Sequence, residues 1–139
     1  MQRLILVLCT VILGRISYGQ KIDTHHLNPD STNYPNTYVK KVAEDSFQSV
    51  FVIWIKHSVK PHYHATHTEF VEILSGKGRM TLNGKTFIVH KHDKIVIPKG
   101  SVHSVVNLHH RPLKVLSIQC PKYDGDRVMI KPKPETSGT

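Results

Sequence analysis

The chain has 139 residues, 39% of them hydrophobic, and sets 19 Lys and Arg against 10 Asp and Glu, a formal charge of +9 with histidine neutral. That length supports one hydrophobic core and leaves no room for a second domain. Two cysteines exclude a disulfide-stapled mini-protein, and lysines scattered singly, without a basic helix or stacking motif, argue against a nucleic-acid partner.

The first element is a short basic start, Gln2-Arg3, followed by the apolar run LILVLCTVIL at 4–13, which is too short to span a bilayer. Ser17 and Gly19 follow with the small-residue spacing of a signal-peptidase site, so residues 1–19 read as a secretory signal peptide. The expected mature protein is secreted or periplasmic and has no stable membrane insertion. It keeps Cys120 alone, which reads as a small buried residue closing a strand. Residues 20–37 are polar and turn-rich. They read as an N-terminal arm that packs on the domain or crosses to a partner.

From there the chain is a series of short β-rich runs at 47–55, 69–74, 78–82, 85–89, 94–97, 103–108 and 113–119, separated by SGKG, NG, PKG and RP. Even spacing with turn residues between runs is the pattern of an all-β sandwich or barrel. Asn83-Gly84 between two runs predicts a tight two-residue hairpin. No segment keeps a helical period over three turns. The β domain is expected over 38–120, followed by a tail at 121–139 that ends in KPKPETSGT.

The stretch PHYHATHTEF at 61–70 concentrates chemistry in this frame. Residues two apart on a strand face the same side, so His62 and His64 can turn both imidazoles toward one point. Glu69 opens the next run and can return a carboxylate to it. His103, at a strand start after a Pro-Gly turn, offers a further ligand. Imidazole with carboxylate suits one divalent transition metal ion: Fe, Mn, Ni, Zn or Cu. His67 falls in the connecting loop and reads as a mobile residue at the site's mouth. His90 and His92 repeat the spacing at a hairpin end without a carboxylate, and read as a surface decoy. Lys56, Tyr63 and Arg79 are candidates for holding an anion, each more simply solvated.

At these residues the chain resembles the cupins. Their first motif, H-x-H, four residues, E, six residues, G, is matched by His62, His64, Glu69 and Gly76. The second, P-x-G, two residues, H, three residues, N, is matched by Pro98, Gly100, His103 and Asn107. The resemblance covers most of the chain after the leader. It implies a small antiparallel jelly-roll β-barrel with one metal held by three histidines and a glutamate inside its mouth. Two places where the family usually has glycine hold Lys56 and His92, which bears on loop shape and leaves the ligands untouched.

The resemblance permits a metal-dependent enzyme of the dioxygenase, isomerase or lyase class acting on a small polar or anionic molecule such as a sugar or keto acid. The alternative from another class is a non-catalytic module that binds a metal, a sugar or a signalling ligand; a vacant dimerising scaffold is a third reading. An acid or base on the inner wall beyond the four ligands would separate the first two. A homodimer is expected in each case.

Overall fold

The computed structural model describes residues 19–131; the expected leader apart from Gly19, and residues 132–139 of the tail, lie outside them. Ten strands follow in order: β1 (Thr37–Glu44), β2 (Ser49–Ile55), β3 (Ser58–His64), β4 (Thr68–Ser75), β5 (Lys77–Leu82), β6 (Lys85–His90), β7 (Lys94–Ile97), β8 (His103–Asn107), β9 (Leu113–Cys120) and β10 (Arg127–Met129). They pair antiparallel in two five-stranded sheets, β1-β2-β9-β4-β7 and β10-β3-β8-β5-β6, which form the expected jelly roll. The described residues include no helix.

The period of two decides which side chains enter the core. On β7, Ile95 and Ile97 are buried while Lys94 and Val96 are exposed; on β4, Glu69, Val71 and Ile73 point inward. With Ile55, Met80, Val89, Leu113 and Val115 these apolar side chains form the main core between the sheets. The cross-strand register then grades the interior from polar to apolar. Glu69 pairs with Gln119 and Val71 with Ser117 near one end of the β4–β9 ladder, and Ile73 pairs with Val115 toward the other. One end of the barrel is thus prepared for polar chemistry and the rest for packing.

Turns hold this register. Asn83 and Gly84 both have positive φ, 48° and 80°, the conformation that matches a two-residue hairpin to strand twist. Gly76 has φ 96°, and a Cβ there would lie 3.2 Å from Leu113 Cα, so the motif glycine serves both backbone conformation and close chain approach. His92 has φ 77° where the family usually has glycine.

The arm packs on its own chain. Leu27 and Tyr34 join Tyr38 over Val52, Trp54 and Leu74, on the face of the first sheet turned away from the main core. Lys114 Nζ donates to the carbonyls of His25 and Leu27, and Lys56 Nζ donates to those of Thr32 and Tyr34. Lys56 therefore anchors the arm and is not an anion-binding residue at the mouth.

Two expectations are corrected. Cys120 is exposed, not buried: it is the last residue of β9, one step past the inward-facing Gln119, and the alternation sends it outward. The sheet also continues past Cys120, because Arg127, Val128 and Met129 of β10 pair with His64, Tyr63 and His62 of β3.

Candidate metal centre

The three histidines of the two motifs meet at the polar end of the barrel. His62 and His64 project inward from β3, and His103, the first residue of β8, is the direct cross-strand partner of His62. All three are at least 94% buried, and one ring nitrogen from each lies within 4.8 Å of the others. Glu69 enters from β4 in the facing sheet. Its Oε2 stands 3.6 Å from His64 Nε2 and 3.4 Å from His103 Nε2. These separations are long for direct N–H···O bonds, yet close to the roughly 3.0–3.4 Å edge of a coordination shell with bonds near 2.1 Å.

Backbone carbonyls aim two of the rings. His62 Nδ1 lies 2.8 Å from Lys60 O and His103 Nδ1 lies 3.0 Å from Ser101 O, so each Nδ1–H donates to a carbonyl and Nε2 is the ring nitrogen left for the centre. Burial, reinforced by the neighbouring His103, lowers the pKa of His62 to about 4, which keeps it neutral at physiological pH. Burial alone would raise the pKa of Glu69, but His103, His64 and a hydrogen bond from Ser117 outweigh it and hold the carboxyl below its usual range. Ser117 Oγ and Gln119 Nε2 both reach Oε1, leaving Oε2 to face the imidazoles. Three imidazole nitrogens and one carboxylate oxygen form a donor set that suits a divalent transition ion.

Below the centre lies a cavity of about 120 Å³. That is well above the roughly 10–15 Å³ one water needs by the same measure, so it admits a small molecule. Its walls are mostly aliphatic, including Ile53, Val59, Met80 and Val105, and the Arg127 guanidinium adds a positive charge at the rim. Arg127 Nη2 is 3.3 Å from His62 Nδ1. With that nitrogen's proton committed to Lys60 O, Arg127 contributes charge here rather than a hydrogen bond. Sequence reasoning missed Arg127 because it assigned 121–139 to the tail.

His67 is a further correction. It is fully buried, not a mobile mouth residue, with its ring 4.1 Å from that of His64. The loop is folded under by Asp126, whose Oδ2 accepts from Thr66 N, Thr66 Oγ1 and His67 N. Burial would raise the pKa of Asp126, but the Thr66 hydrogen bonds and the facing imidazoles hold it low, so it is an anion. His90 and His92 are exposed, as expected of a decoy. Asn107 braces loops: Nδ2 donates to Lys56 O and Arg111 O, and Oδ1 accepts from His109 N.

The fold and the two motifs together define a cupin. Residues 49–119 match the Cupin domain model, and the chain belongs to that family. Among its relatives, an uncharacterised protein of Aquifex aeolicus is 39% identical over 94 residues, covering 67% of this chain and 77% of the relative. A mannose-1-phosphate guanylyltransferase of Klebsiella pneumoniae is 38% identical over 76 residues, 55% of this chain but only 16% of that enzyme. Among solved structures, KdgF from a Halomonas species superposes with a TM-score of 0.66 at 20% identity, covering 77% of this chain and 97% of that one. A Klebsiella pneumoniae protein with a double-stranded β-helix domain gives 0.69 at 18% identity, covering 82% and 100%.

Proposed function

We propose that this chain is an exported metal-dependent enzyme acting on a small anionic molecule, with His62, His64, Glu69 and His103 as the ligands of one divalent transition metal ion. The observation that carries this reading is the convergence of three buried imidazoles and one buried carboxylate at the mouth of a cavity. A bound metal would supply Lewis acidity or, if redox-active, dioxygen chemistry. The chain's own residues do the rest. Lys60 O and Ser101 O orient two ligands, Ser117 and Gln119 hold Glu69, Arg127 attracts the anionic group, and the aliphatic wall excludes water from the small apolar remainder of the substrate. Its match to part of a mannose-1-phosphate guanylyltransferase keeps sugars bearing an anionic group beside keto acids as candidate substrates.

A specific observation supports the second reading, a binding module. Among the described residues, the cavity lining has no Asp, Lys, Tyr or non-ligand His, so no protein general base faces the centre. The discriminating experiment incubates metal-reconstituted and chelator-stripped protein with a panel of small sugar acids and keto acids, followed by proton NMR. Metal-dependent conversion abolished in H103A is the expected result. Binding without turnover assigns the module, and neither binding nor conversion contradicts the anionic-ligand reading. Export and a homodimer belong to the same proposal; N-terminal sequencing of exported protein and light scattering test them.

A further inference from the structure

We infer a second cation site beside the first, formed by His64, His67 and Asp126 and suited to Zn²⁺. Five buried side-chain polar atoms among the described residues lack a hydrogen-bond partner, and four of them are in this one cluster: His64 Nδ1, His67 Nδ1, His67 Nε2 and Asp126 Oδ1. Leaving a buried polar atom without a hydrogen bond is costly, and four gathered in one place call for a partner that the surrounding side chains do not supply. The cluster is built. His67 is fully buried, His64 is 5% exposed, and Asp126 is fixed through its other oxygen by Thr66.

The geometry suits a cation better than a set of hydrogen bonds. Asp126 Oδ1 lies 2.9 Å from His67 Nδ1 and 3.6 Å from His64 Nδ1. The first contact is close enough for a hydrogen bond but misaligned, and the second is too long for one. Both straddle the roughly 3.4 Å edge of a tetrahedron with bonds near 2.1 Å. One ligand atom from each of the three residues lies within 4.8 Å of the others. Two imidazole nitrogens, one carboxylate oxygen and a fourth position for water make an ordinary zinc donor set.

His64 belongs to both centres, since Nε2 faces Glu69 and Nδ1 faces Asp126. One ring can ligate two ions only as an imidazolate. The second ion therefore displaces the remaining ring proton of His64 to solvent, and its binding is weaker than the first by the cost of that proton. This inference rests on the reading of the first centre only through His64.

The test is Zn²⁺ titration of the metal-free full chain, with bound metal counted after dialysis and proton release measured by calorimetry in buffers of different ionisation enthalpy. Wild type is expected to take two ions, the second releasing one proton more than neutral-imidazole ligation accounts for. H67A and D126N should each lose the second ion and keep the first, H103A should lose the first and keep the second, and H64A should lose both. Wild-type saturation at one ion that H67A and D126N retain overturns the second site. Two ions in wild type with both retained in well-folded H67A and D126N likewise overturns it. Loss of an ion in H67A with none lost in H103A would sink the first centre instead.

Discussion

His92 shows how one residue can satisfy a topology at a local cost. Its φ of 77° lies in the left-handed region, which costs a residue with a Cβ roughly 1–2 kcal/mol, and its side chain is exposed at the turn into β7. The backbone N–H donates to Ile73 O, so the turn is held by its main chain rather than by the imidazole. Replacement by glycine relieves the strain and surrenders part of the gain to chain entropy, so H92G should stabilise the fold by about 0.5–1 kcal/mol in denaturant unfolding. Unchanged or lowered stability would mean the imidazole contributes something this geometry does not show. The convergence of His62, His64, Glu69 and His103 was legible in the sequence because strand periodicity and motif spacing are local. His67 was not, because what buries it is Asp126, 59 residues away across the sheet, and no pattern in PHYHATHTEF encodes that contact.

At the scale of elements, the N-terminal arm behaves as a cover for the outer face of the first sheet. Trp54 is 6% exposed there because Tyr34, Tyr38 and Leu27 lie over or beside it, and Lys114 ties the arm down through two carbonyls. Bonds from an ammonium are worth more than neutral ones, but the burial that lowers the pKa of Lys114 subtracts from them. K114M should therefore cost only about 1 kcal/mol while markedly speeding amide hydrogen exchange across residues 23–36. Unaltered exchange in the arm would show that apolar packing alone holds it. The strands themselves were readable from β-branched runs and turn residues. β10 was not: RVM is short, has no buried residue and is embedded in a charged stretch, and it becomes a strand only because β3 offers it an open edge. Cys120 failed for a related reason, since burial at a strand's last position depends on which step of the alternation the strand ends on.

For the whole molecule, fold and site stand together, because β3, β4 and β8 bring His62, His64, Glu69 and His103 to one point only when the two sheets close over each other. Neutral imidazoles are needed there, and this gives the metal-free protein an acid limit. His62 titrates at about 4 in the folded chain against an ordinary 6.5, so the unfolded chain binds more protons between those values and stability is lost as pH falls through that window. Thermal melts of metal-free protein should show it, with the loss much reduced in H62Q; identical pH profiles for the two would remove His62 as the cause. The most direct measurement of the central claim is elemental analysis of untagged protein as purified, beside H62A, H103A and the double variant H90A/H92A. Wild type and the double variant should contain a transition metal at one or more ions per chain, with the tighter-bound ion missing from H62A and H103A. Full metal in H62A and H103A, with loss in H90A/H92A, would contradict the assignment and move the site to the surface hairpin.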